Sequence, residues 1–165
     1  MNIIINLAEK ESAINQLTLF RENNYVPFDV RIENSHIKEL NDLTGMNLFT
    51  KTSLYVDSKT LHELMEPIGG IGSHHFHGLT PEDIYMSLSS IKNPRCVFID
   101  KKERYAFISI ELSHFDHPLM LIVEKNAGLQ ANANARINKV VTIYPKDHLD
   151  EFIANIDERK VLYKK

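Results

Sequence analysis

Hydrophobic positions follow two rhythms that change over near Pro94. Before it, the spacing is mainly helical. Ile3 to Ile5 predicts a short strand, and Glu9 to Glu22 predicts a helix with Ile14, Leu17 and Phe20 on its apolar side. The segment NNYVPFDVR breaks that helix, and His36 to Leu43 predicts a second short one, capped by Ser35 or Asn34 and ending near Gly45. SLYV then predicts a strand. In DSKTLHELMEP the positions Leu61, Leu64 and Met65 define a helix capped by Asp57 or Ser58 and stopped by Pro67 and the Gly69–Gly70 pair. The next helix starts with Thr80 as cap, Pro81 at its first position and Asp83 at its third, where a carboxylate suits the positive helix end. Ile84, Leu88 and Ile91 form its stripe, and Pro94 ends it, because the residue before a proline avoids the α conformation.

Beyond Pro94 the period becomes two. Arg95–Asp100, Arg104–Leu112 and Pro118–Lys125 are dense in β-branched and aromatic residues, and the linkers DKKE and SHFDH suit antiparallel turns. A polar loop, NAGLQANANAR, leads to a fourth run, INKVVTIY, and PKDHLDEFIANI predicts a closing helix with Leu149, Phe152, Ile153 and Ile156 as its stripe. The expected architecture is α+β: helices, then a four-stranded antiparallel meander, then a helix. Residues 1–52 are expected to form an accessory region and 53–165 the main domain.

Composition narrows the class. At 165 residues with 43% hydrophobic content, the chain can bury a real core. Its one cysteine, Cys96, lies in the apolar run CVFI and excludes an internal disulfide. The opening MNIIINLAEK is too short and wrongly flanked for a signal peptide or membrane anchor, so a cytoplasmic location is expected, in the producer or in a target cell. Up to position 94 there are 7 Lys/Arg against 12 Asp/Glu, and beyond it 12 against 10. An anionic ligand is therefore expected on the C-terminal half.

Candidate chemistry gathers in SHHFHG, residues 73–78. His75 and His77 have the i, i+2 spacing of zinc ligands on a strand, but no cysteine pair, HExxH or carboxylate at a recognised offset completes a site, so neither metal nor cofactor is expected. A metal hydrolase on that pair would instead reveal itself by bound zinc. A free imidazole exchanges protons near neutrality, with a pKa of about 6.5. His77 is the best placed, before Gly78 and a helix N-terminus whose N–H groups favour an anion. His74, His75, His114, His117 and His148 read as surface groups, and His62 flanks the stripe of its helix. Alternation in the fourth run puts Asn138, Val140, Thr142 and Tyr144 on one face, and Ser109 and Glu111 share a face of the second run. Arg95, Lys125, Arg136, Lys139 and Lys146 stand at strand ends or loops, and Arg136 offers phosphate a bidentate partner.

The succession TLHELM, HGLTPEDI, KNPRCVFI, a strand meander, N-x-V-x-T-x-Y-P-K and a closing LYKK resembles the phage-borne barnase-like toxin domains. These often end MuF-type phage head proteins and are grouped with barnase, colicin and RelE-type ribonucleases. The likeness spans about residues 53–165. It implies metal-independent endonucleolytic cleavage of RNA, with His77, Thr142 and Tyr144 in catalytic roles, Asn138 as a substrate group, and weaker carry-over to His62 and Lys146. On that reading Arg136, Asn138, Lys146 and Lys125 contact substrate, and His62 or Glu111 takes the proton role opposite His77. RNA and an immunity or antitoxin protein are the implied partners. The rival expectation is a non-catalytic phage or mobile-element domain that binds protein or nucleic acid on the same scaffold.

Overall fold

Apolar strands with opposed faces order the chain around one sheet. In a computed structural model, residues 3–23, 30–68, 76–129 and 132–165 are described. His74, His75 and the Gly69–Gly70 pair lie outside them, as does most of NNYVPFDVR. The elements run β1 (Ile3–Asn6), α1 (Lys10–Glu22), β2 (Val30–Glu33), α2 (Ile37–Thr44), β3 (Leu54–Val56), α3 (Ser58–Met65) and α4 (Pro81–Ser89). Then follow β4 (Cys96–Ile99), β5 (Tyr105–Leu112), β6 (Pro118–Leu129), β7 (Asn132–Pro145), α5 (Leu149–Ala154) and β8 (Val161–Lys164).

The sheet order is β1-β2-β3-β7-β6-β5-β4-β8. This overturns the expected four-stranded antiparallel meander. The class remains α+β, but the sheet has eight strands and is mixed: β1 with β2 and β3 with β7 pair in parallel, and the other neighbours are antiparallel. The reason is physical. β2, β3 and β8 are three- and four-residue segments whose ladders form with partners distant in the chain, and local periodicity carries no trace of such pairing.

Both faces of the central strands are covered. On one, Leu17 of α1, Leu40 of α2, Leu61 of α3 and Ile84 of α4 pack with Leu54, Phe107, Leu121 and Ile143 into the main core. On the other, Ile153 of α5 closes a smaller cluster with Cys96, Ala106, Ile108, Met120 and Ile122. Alternation along β5 thus sends Tyr105 and Phe107 to the main core, with Ala106 and Ile108 beneath α5.

β7 departs from simple alternation. Ile122 of β6 opposes Thr142, whereas its neighbour Val123 opposes Val140, so Val141 is an extra residue, a β-bulge. Val140 and Ile143 face the main core, while Val141 and Tyr144 pack on the smaller cluster. The face that the sequence assigns jointly to Asn138, Val140, Thr142 and Tyr144 is therefore split in two at the bulge.

Candidate functional site

The segment before α4 is built by satisfying the end of α3. Backbone N–H groups of His77, Gly78 and Leu79 donate to the carbonyls of Glu63, Glu66 and Leu64, at 2.9, 2.9 and 2.8 Å. A helix end leaves such carbonyls without intrahelical partners, so three consecutive donors anchor the loop firmly. Gly78 sits at φ +64°, left-handed backbone that an L side chain resists, with Ile68 and Phe115 packed against it. Thr80 and Asp83 then cap α4 reciprocally, Thr80 Oγ1 accepting from Asp83 N–H and Asp83 accepting from Thr80 N–H.

β3 pairs with β7 only at Leu54–Asn138 and Tyr55–Lys139. Further along, the His77 ring comes up to β7, and its Nδ1 hydrogen-bonds the Ile143 carbonyl. A carbonyl only accepts, so this contact makes Nδ1–H the donor, and in the neutral ring Nε2 then carries the lone pair. The neighbouring Tyr144 ring stands edge-on to His77, centroids 6.3 Å apart. His77 and Tyr144 line one cleft of 390 Å³ with Ile68, Phe76, Phe115, His117 and Pro145.

His117 is the group that sequence reading misses. It lies in the β5–β6 turn, whose Ser113 N–H donates to the His117 carbonyl at 2.8 Å. Asp83 holds this turn as well as the cap: its carboxylate accepts from the backbone N–H of His114, at 3.0 Å, and from the His114 ring. One buried carboxylate thus joins the α4 N-terminus to the turn bearing His117. Burial alone would push the Asp83 carboxyl up, but hydrogen bonds from Thr80 and His114 outweigh it and hold the group below its ordinary value of 3.8.

The sign follows directly. A depressed carboxyl contributes stability that is fully present above the unfolded value, near 3.8, and is lost as pH falls through the lower folded value. Asp83→Ala leaves three donors without their acceptor and is expected to cost about 1–3 kcal/mol at neutral pH. Its stability should also fall less steeply than wild type below about pH 4, read from melting temperature against pH. An equally steep acid limb in the variant would show that Asp83 is not the group responsible.

The other expected site residues are dispersed. Asn138 is buried, its Nδ2 donating to the carbonyls of Lys51 and Ser53 at 2.9 and 3.2 Å, which ties β7 to the segment before β3. Arg136 is exposed in a separate groove with Thr50, Lys51, Ser53 and Tyr55. Six residues of strand, roughly 20 Å, separate Asn138 from Tyr144. Lys125 donates to the Tyr105 hydroxyl at 3.2 Å. Lys146 sits over the Phe152 ring at 4.1 Å. His62 packs its ring on Phe76 at 5.2 Å and approaches Glu66 at 3.9 Å, one ring removed from the His77 cleft. Glu111 lines a different groove, with Lys10 and Tyr85.

Thr142 faces a second, larger cleft of 670 Å³ between α5 and the sheet, and Tyr144 lines both. Burial foremost, then the nearby Asp100 carboxylate, raises the Tyr144 phenol against the opposing effect of Arg104. Its hydroxyl therefore stays protonated, a donor and not a base. Among the described residues no group of three or more His, Cys, Asp or Glu is gathered to hold a metal, and no helix is long and apolar enough to cross a membrane.

Fold and cleft together define an α+β domain with a histidine-bearing cleft at the open edge of its longest strand. The chain belongs to the phage MuF C-terminal domain family, which it matches over residues 72–165. That stretch holds α4 through β8 and includes His77, His117 and Tyr144. Comparison with curated proteins and with solved structures gives no match.

Proposed function

We propose that this phage domain is a metal-independent endoribonuclease of the barnase-like toxin type. The observation that carries the reading is the meeting of His77, with its tautomer set by the Ile143 carbonyl, with His117 and the protonated Tyr144 in one cleft. Two imidazoles and a phenol supply the three functions that RNA transesterification needs. Nε2 of His77 takes the proton from a ribose 2′-hydroxyl, whose oxygen attacks the adjacent phosphorus. His117 in its protonated form gives a proton to the departing 5′ oxygen, and the products are a 2′,3′-cyclic phosphate and a free 5′-hydroxyl. Tyr144, whose hydroxyl otherwise donates weakly to Met120 Sδ at 3.8 Å, turns to donate a hydrogen bond to a non-bridging oxygen, where charge builds in the transition state. His62 supports the site through Phe76, without reaching the reacting atoms.

A nuclease of this kind harms the cell that makes it, so an immunity protein that covers the His77 cleft belongs to the same proposal. The test is purified protein on total RNA, with and without chelator. Cleavage that persists in chelator and leaves 2′,3′-cyclic ends is the expected result. Cleavage abolished by chelator overturns the metal-free mechanism, and intact RNA under both conditions favours the rival role, a non-catalytic binding domain.

A further inference from the structure

The cleft beneath α5 has features that the transesterification chemistry leaves unused. Its floor is apolar: Phe98, Met120 and Ile122 from the sheet, with Phe152 and Ile156 from the helix side. Phe98 and Phe152 meet edge to face, centroids 5.7 Å apart. Thr142 and Asn155 add a hydroxyl and an amide to the lining. Among the described residues neither side chain has a hydrogen-bond partner.

The rim is cationic. Lys101 and Lys102 lie in the β4–β5 turn, and Lys160 just precedes β8. The two carboxylates nearby are already committed. Asp100 accepts from Arg104 Nε at 2.9 Å and from the backbone of Lys102 and Arg104, and Asp157 accepts from Arg159 Nη2 at 2.9 Å. Among the described residues, no carboxylate lies within ion-pair distance of Lys101, Lys102 or Lys160. An apolar slot with a few polar groups on its wall and a positive rim matches a flat heteroaromatic ring bearing an anionic substituent. Its 670 Å³ falls within the roughly 300–1,000 Å³ of small-ligand clefts.

We propose that this cleft is a nucleotide-recognition subsite: the base enters between α5 and the sheet, meets Thr142 and Asn155 at its polar edge, and leaves its phosphate among Lys101, Lys102 and Lys160. Tyr144, shared by the two clefts, sets the bound nucleotide directly beside the His77 site. Choice of RNA sequence then resides under α5, in residues separate from the proton-transfer groups. The proposal rests on the ribonuclease reading for the identity of its ligand, but its test does not require cleavage.

The four 5′-nucleoside monophosphates, which carry no scissile phosphodiester, and inorganic phosphate as comparison, are titrated into the wild-type protein, followed by amide chemical shifts. At least one nucleotide should shift Thr142, Asn155 and Lys102, saturably and more tightly than phosphate. Lys102→Ala, at a surface turn, should weaken it about tenfold, as expected for loss of one charge-assisted contact. Thr142→Val should alter the preference among the four bases. No saturable shifts, shifts confined to Phe76 and His117, or phosphate binding as tightly as every nucleotide would overturn the subsite. Cleavage by wild type without nucleotide binding here removes this inference alone. Binding without cleavage removes the ribonuclease and keeps the subsite.

Discussion

His77→Ala is expected to lower RNA cleavage at least ~10²-fold, because it removes the proton acceptor that the cleft presents to the ribose hydroxyl. Alanine also removes the tie to the Ile143 carbonyl, so a fall in rate alone would not separate chemistry from architecture. Asparagine separates them. Its side-chain amide occupies nearly the place of Nδ1–H and can donate to the same carbonyl, yet it has no basic nitrogen. His77→Asn should therefore unfold at close to the wild-type temperature and cleave as poorly as the alanine variant. Recovery of activity in the asparagine variant would mean that His77 positions β7 and transfers no proton. The loss should appear in kcat more than in KM, since the acceptor acts during bond-making and contributes little to substrate binding.

Phe107→Ala carries the largest expected effect on stability. Phe107 is fully buried at the middle of β5, opposite Leu121 on one neighbour and Val97 on the other, and stacks on Phe49 with ring centroids 6.4 Å apart. Truncating such a ring typically costs about 3–5 kcal/mol, from lost transfer energy and the cavity left behind. Domains of this size hold together by roughly 5–15 kcal/mol in total, so the melting temperature should drop by about 6–20 °C. Urea denaturation would give the same quantity as a lower midpoint at unchanged slope. A loss below about 1 kcal/mol would mean that the helical layer does not bear on the centre of the sheet. Because Phe107 faces away from the α5 cleft, the fraction that remains folded should still bind nucleotide.

Legibility followed the range of the forces involved. The start of α4 is readable because Thr80, Pro81 and Asp83 act on backbone groups within one turn. Asp57 likewise caps α3, accepting from Thr60 N–H at 2.7 Å. The strands β4 to β7 are readable over the parts that bury an apolar face. The polar stretch NAGLQANANAR, expected to be a loop, is instead the end of β6 and the start of β7, where Glu124, Lys125, Asn126 and Gly128 are exposed and leave no apolar signal. β2, read as part of a break, and β8, read only as a closing tail, are short segments whose identity comes from partners far along the chain. β7 itself shows the limit well. Two consecutive valines give no sign of which one is extra, so the bulge, and with it the placement of Asn138 apart from Tyr144, emerges only from pairing with β6.

The site divides along the same line. His77 stands out in sequence because of its glycine and the helix that follows. His117 sits in an ordinary polar turn, and nothing local connects it to His77; the connection is Asp83, which reaches from a helix cap to that turn. Arg136 looked the best phosphate partner by chemistry, yet it lies in another groove, and lysines from turns read as plain linkers surround the larger cleft.

The extra residue in β7 is one that the strand can lose or exchange without changing which way its neighbours face. Exchanging Val141 for another β-former leaves the count intact, and Thr142 and Tyr144 still look toward α5. Deleting it joins Val140 directly to Thr142 and restores strict alternation with the pairs Val123–Val140 and Ile122–Thr142 kept, so Ile143 stays against the helices and Tyr144 stays toward α5. A residue inserted after Thr142 has no such slack: Ile143 then points under α5 and Tyr144 toward the helices.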